Sequence, residues 1–104
     1  MTVSEQIGLN LRKVRRSAVM SQEDLSRRAG LNRTEIGMLE CGLSVPRLDT
    51  CIKILGSTGV DPEVLFEDIA WHGPMYLDEE GWFAIVAIDG PVDLRSARRA
   101  RGNR

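Results

Sequence analysis

At 104 residues the chain is long enough for one small domain and an appendage. Hydrophobic residues make up 42% and charged residues 28%, an ordinary globular balance, and no apolar run approaches the roughly 20 residues that a membrane-spanning helix needs. The opening MTVSEQIG carries an acid and lacks the basic-then-apolar order of a secretory signal, so with only two cysteines the expectation is a cytoplasmic protein with reduced thiols.

The net charge of −1 hides three blocks. Residues 1–57 carry +3, residues 58–93 carry −9 without a single Lys or Arg, and residues 94–104 carry +5 without an acid. Such blocking implies parts with different partners. The basic ends can meet a polyanion; the acidic middle repels one.

The first helix is expected over Val3–Ser17. Thr2 and Glu5 have capping-box spacing, and Ile7, Leu11 and Val14 form an inward stripe. Arg12, Lys13, Arg15 and Arg16 gather toward its C-terminal end, where the helix dipole favours cations. SQEDLSRRAG gives the second helix: Ser21 caps, Asp24 sits at the reciprocal position, Leu25 and Ala29 point inward, and Gly30 permits a sharp exit. NRTEIGMLECG, residues 32–42, gives the third. Asn32 caps it, Glu35 is placed to complete a capping box, Ile36 and Leu39 share one face, and Gly42 stops it.

Pro46 precedes a fourth helix whose apolar face is read as Leu48, Cys51, Ile52 and Leu55. Asp61 caps a short fifth helix running from Pro62 to about Asp68. Then the pattern changes. WFAIVAI, residues 82–88, is apolar on both faces and reads as a strand, buried on both sides or paired, with a weaker partner strand and a loop before it. Trp71, Tyr76, Trp82 and Phe83 are expected as a small aromatic core over that hairpin. RSARRARGNR, from Arg95, reads as a flexible tail that can embrace a phosphate backbone. The division is therefore 1–68 for the helical domain, 69–93 for the acidic, aromatic β extension, and 94–104 for the tail.

Five short helices with a glycine-turned second and third pair form a helix-turn-helix layout. The residues also carry a resemblance. Leu11-Arg12-x-x-Arg15, Ser21-Gln22-x-x-Leu25, Ala29-Gly30-Leu31, Ile36-x-x-Leu39-Glu40-x-Gly42 and Pro46, in that order, resemble the Cro and lambda-repressor-like (XRE-type) helix-turn-helix domains over roughly residues 5–68. The fold this implies is mainly α, a five-helix lambda-repressor-like domain, here with a short C-terminal β extension.

The resemblance further implies a sequence-specific regulator of transcription, a repressor, with the third helix (about 32–41) in the major groove of duplex DNA. Arg33, Thr34, Gly37 and Met38 fall at positions facing base edges. Gln22, Asn32, Cys41, Leu43 and Ser44, with the backbone at Gly42, fall near phosphates. Arg15 and Glu40 are implied as an inward salt bridge. Arginine suits guanine O6 and N7, and a threonine methyl suits the thymine methyl. Met38 offers only apolar contact, to a thymine methyl or to a neighbouring turn. Gly37 and Cys41 depart from the family's polar pattern, and Ser26 stands where relatives keep alanine.

A homodimer through residues 69–93 is expected, since paired recognition helices suit a palindromic site. The alternative is an antitoxin-like module whose 69–93 segment binds a partner protein. No enzyme, cofactor or metal is expected. The lone His72 lacks companions at ligand spacing, and Cys51 reads as core.

Overall fold

The computed structural model describes residues 1–74 and 80–85. They divide into two compact units, Met1–Glu67 and the residues from Asp68 onward. The first unit holds α1 (Val3–Ser17), α2 (Gln22–Ala29), α3 (Arg33–Glu40), α4 (Leu48–Thr58) and α5 (Pro62–Leu65). The second holds β1 (Ile69–His72) and β2 (Trp82–Ile85).

The helix boundaries follow the capping chemistry. The Thr2 hydroxyl accepts the Glu5 N–H at 3.2 Å. Ser21 and Asp24 form the full reciprocal box, each side chain accepting the other's N–H at 3.0 Å. Gly30, Gly42 and Gly59 leave their helices with φ of 67°, 75° and 70°, conformations an L side chain resists. The box expected between Asn32 and Glu35 does not form. Asn32 Oδ1 instead accepts the Thr34 N–H at 2.8 Å, one residue nearer.

Leu11, Val14, Leu25, Ala29, Ile36, Leu39, Cys51, Ile54 and Leu65 make the core. Burial raises the Cys51 thiol above its ordinary value, which keeps it protonated and unreactive. Asn10 clamps α1 to the end of α5. Its amide donates to the carbonyls of Leu65 (3.0 Å) and Glu67 (2.8 Å), and its oxygen accepts from Gln6. Buried polar groups that are paired in this way fix geometry more than they add free energy.

Two elements differ from the sequence expectation. The inward face of α4 is Thr50, Cys51 and Ile54, with Leu55 partly buried, whereas Leu48 and Ile52 are exposed. At about 100° per residue the apolar positions cover an arc of roughly 160°, wider than the strip that meets the core, and the core lies at its Thr50–Ile54 edge, so periodicity alone selects the wrong part of it. α5 ends at Leu65, not near Asp68: Phe66 leaves helical geometry at φ −105° and ψ 13°, its N–H returning to the Pro62 carbonyl, and Asp68 takes a positive φ of 65°. Asp61 opens α5 from an extended conformation without a side-chain cap bond.

Val19, in the α1–α2 turn, adopts φ 55° and is 91% exposed. A β-branched residue is strained there and gains no packing in return. Val19→Gly is therefore expected to raise unfolding stability by about 0.5–1 kcal/mol, the strain relief exceeding glycine's entropic cost. Urea denaturation reads this as a higher midpoint at unchanged slope.

In the second unit β1 and β2 pair antiparallel, Ile69 opposite Ile85 and His72 opposite Trp82. Trp71 contacts Phe83 at 4.9 Å between centroids, and His72 stacks on Trp82 at 5.2 Å. Of the two alternatives expected for the second strand, burial on both sides or pairing, it takes pairing: it bonds to β1, while Trp82 and Phe83 are exposed. Residues 86–88 of the expected strand, Tyr76 of the expected aromatic core, and the 94–104 tail lie outside the described residues. Among the described residues no helix is long and apolar enough to cross a membrane.

Candidate nucleic-acid interface

The α2–α3 pair is fixed from within by one carboxylate. Glu40, at the end of α3, has a fully buried side chain. Arg15 on α1 grips it with two bonds, Nε to Oε2 at 2.6 Å and Nη2 to Oε1 at 2.9 Å. Arg12 Nε adds a bond at 3.3 Å and Gln22 Nε2 one at 3.4 Å. Burial alone pushes the Glu40 carboxyl up; the hydrogen bonds and charge of Arg15, helped by Gln22 and Arg12, outweigh it and hold the group below the ordinary carboxylate range. The same hydrogen bond raises Arg15 against the opposing effect of burial. A third Arg15 nitrogen, Nη1, donates to the Met20 carbonyl at 2.9 Å, anchoring the α1–α2 turn.

Arg12 and Gln22 are additions that the sequence did not signal as Glu40 partners. Arg12 lies three residues before Arg15, hence on the same helix face, which is the cue that could have found it. Gly8 is another. A Cβ there would stand 2.5 Å from the Leu39 carbonyl oxygen and 2.7 Å from that of Glu40. Backbone of α1 and α3 thus touch at a glycine.

With Ile36, Leu39 and Glu40 turned inward, the outer side of α3 is open. Gln22, Arg33, Thr34, Gly37, Met38, Cys41 and Leu43 line one depression of about 440 Å³. All four residues expected at base edges are in it, with three of the five expected at phosphates. Asn32 is exposed at the helix start and Ser44 is half-buried; neither lines it. Arg33 sits in the first turn, exposed, with no ion pair among the described residues. A Cβ on Gly37 would meet only Gln22 Oε1, at 3.9 Å, so packing does not require this glycine.

The end of α3 constrains the rest. The Gly42 N–H bonds to the Leu39 carbonyl and the Leu43 N–H to that of Met38, the Schellman pattern. The Cys41 N–H is likewise engaged, with Gly37. The amides of Cys41, Gly42 and Leu43 are therefore occupied inside the helix end. Met38 and Leu43, the two residues that such a cap brings together, supply the apolar wall of the depression.

The profile of the helix-turn-helix family HTH_3 matches residues 11–65. The chain belongs to this family. HTH_3 is of the XRE type, so the fold class and the family resemblance read from the sequence both hold. Three solved structures align with it at a TM-score of 0.58 each. The restriction-modification controller protein C.AhdI from Aeromonas hydrophila is 30% identical, over 61% of this chain and 96% of that one. An HTH_3 family transcriptional regulator from Vibrio cholerae is 25% identical, over 62% of this chain and 36% of its own length. A hypothetical transcription factor, NHTF, from Neisseria is 28% identical, over 62% and 75%. No curated protein matches significantly. As an HTH_3 member the chain carries a DNA-binding domain of the kind found in transcriptional regulators.

Proposed function

We propose that this protein is a sequence-specific repressor that lays α3 into the major groove of double-stranded DNA. The observation that carries the reading is the single depression that gathers Gln22, Arg33, Thr34, Gly37, Met38, Cys41 and Leu43 on the outer side of α2 and α3. Arg33 reads guanine through O6 and N7, and Thr34, Met38 and Leu43 offer apolar contact to a thymine methyl. Gln22 uses one amide hydrogen on Glu40, which aims the other at a phosphate near the N-terminus of α2. Asn32, Ser44 and the Cys41 thiol meet phosphate through their side chains.

Hydrogen bonding from α3 is sparse, so DNA shape and the pairing of two subunits supply much of the specificity. A homodimer sets two α3 helices about one turn, roughly 34 Å, apart on a palindromic site. Occupancy of a promoter then blocks transcription. The setting is cytoplasmic, which suits the free thiols of Cys41 and Cys51.

The test is enrichment from a random duplex library followed by a salt titration. Palindromic sites one turn apart, bound with an affinity that falls steeply as salt rises, are expected. Absence of any enriched sequence would reject the reading. A second reading, favoured by the exposed Trp71, Trp82 and Phe83 of the hairpin, gives the 69–93 segment a protein partner in the manner of an antitoxin. Co-purification of a small basic protein that dissociates when Trp82 is replaced by serine would support it.

A further inference from the structure

The depression on α3 changes character along the helix. Its first turn carries Arg33 and Thr34, both able to hydrogen-bond to base edges. Beyond them it is lined by Gly37, Met38, Cys41 and Leu43. Gly37 has no side chain, and a Cβ there would meet only Gln22 Oε1, at 3.9 Å, so the space over it is open. Met38 (42% exposed) and Leu43 (72%) come together where the Leu43 N–H bonds the Met38 carbonyl at 3.0 Å. The Cys41 thiol is only a weak donor. The Cys41 and Leu43 amides are engaged within the helix end. Gln22 is held by Glu40 at 3.4 Å and serves phosphate in the reading above. This part of the surface therefore offers apolar contact and almost no hydrogen bonding.

Such a surface is blind to the hydrogen-bonding edge of a base pair. In the major groove T·A sets an acceptor on the pyrimidine and an amine on the purine, and C·G exchanges the two. Apolar side chains sense instead the methyl group on pyrimidine C5. That methyl occupies the same place on thymine and on 5-methylcytosine.

We propose that α3, past its first turn, reads the C5 methyl and not the base that bears it, so that 5-methylcytosine replaces thymine in the binding site. The protein then responds to cytosine methylation. A site with cytosine at this position is weak when unmodified and strengthens when its C5 is methylated. One buried carbon is worth about fourfold in affinity, and one in each half of a palindrome about fifteenfold. The inference rests on the groove reading above and names a DNA modification that the same site recognises.

The test uses the wild-type protein and the enriched duplex. Each thymine is replaced in turn by uracil, which loses only the methyl, by cytosine, which loses the methyl and exchanges the edge, and by 5-methylcytosine, which exchanges the edge but keeps the methyl. At one thymine or more in each half-site, thymine and 5-methylcytosine should bind alike, and uracil and cytosine about fourfold more weakly. Met38→Ala combined with Leu43→Ala should bring all four to one affinity while the guanine preference of Arg33 survives. Unchanged circular dichroism and Tm show that this double variant folds. An enriched site without thymine, uracil that binds as thymine does at every position, 5-methylcytosine that binds no better than cytosine, or a double variant that keeps the difference would each overturn the inference and leave the groove reading standing. A library that enriches no sequence rejects the groove reading, and this inference with it.

Discussion

Replacing Glu40 by glutamine is expected to destabilise the helical unit by about 3–5 kcal/mol, the penalty for removing one partner of a buried ion pair. The two Arg15 bonds at 2.6 and 2.9 Å then lose their anion, and Arg15, with a side chain only 12% exposed, cannot rehydrate freely. Against a total stability of some 5–15 kcal/mol, that loss lowers Tm by more than about 12 °C. The partner change Arg15→Met leaves the Glu40 carboxylate buried and should also be costly. Changing both, Arg15→Met with Glu40→Leu, should recover much of the loss, because no uncompensated charge remains. Thermal melts of the three variants measure the coupling. Additive losses would show that the pair does not act as a unit.

The sign with pH follows from the direction of the Glu40 shift. Its folded value lies below the ordinary carboxylate range. The bridge is fully stabilising at neutral pH and fades as the medium becomes more acid than an ordinary carboxyl, about 4.3, toward the depressed folded value. Wild type should therefore lose stability steeply in acid, and Glu40→Gln should show a shallower loss over the same window.

Gly8→Ala is the second large effect, and its sign is informative. Helix propensity alone predicts that alanine stabilises α1 by about 1 kcal/mol. The geometry predicts the reverse. A new methyl 2.5 Å from one α3 carbonyl oxygen and 2.7 Å from the next must push the two helices apart, since both obstacles are backbone. Overpacking of this kind costs about 1–3 kcal/mol or more. A lower urea midpoint for Gly8→Ala is expected, and a higher one would contradict the close α1–α3 contact. The same displacement strains the Arg15–Glu40 bridge, so losses from Gly8→Ala and Glu40→Gln should not add.

Much of this was legible in the sequence wherever chemistry is local. Thr2, Ser21, Asn32, Gly30 and Gly42 act within a few residues of themselves, and their side-chain oxygens or missing Cβ atoms set the helix ends. The stripe Ile7, Leu11, Val14 is unambiguous because charged residues surround it. α4 is different: Leu48, Cys51, Ile52, Ile54 and Leu55 form one broad apolar arc, and only its neighbours in space decide which of them go inside. Long-range features left no local signature. Nothing beside Gly8 announces that α3 carbonyls will lie against it, and nothing beside Asn10 announces the turn after α5.

The depression on α3 was legible as a set of residues, since removing the inward positions leaves Arg33, Thr34, Gly37, Met38 and Cys41. What sequence could not show is that the amides at Cys41, Gly42 and Leu43 are occupied within the helix end, or that Gln22 reaches inward to Glu40. Those facts narrow which atoms remain for DNA.

In the proposed complex α3 reads bases chiefly through Arg33. The most direct measurement compares wild type, Arg33→Ala and Gln22→Ala on the best enriched duplex and on a scrambled duplex at one salt concentration. Arg33→Ala is expected to lose about 1–3 kcal/mol of preference for the enriched site, whereas Gln22→Ala weakens both duplexes alike. An Arg33→Ala protein that keeps the wild-type ratio between the two duplexes would contradict it.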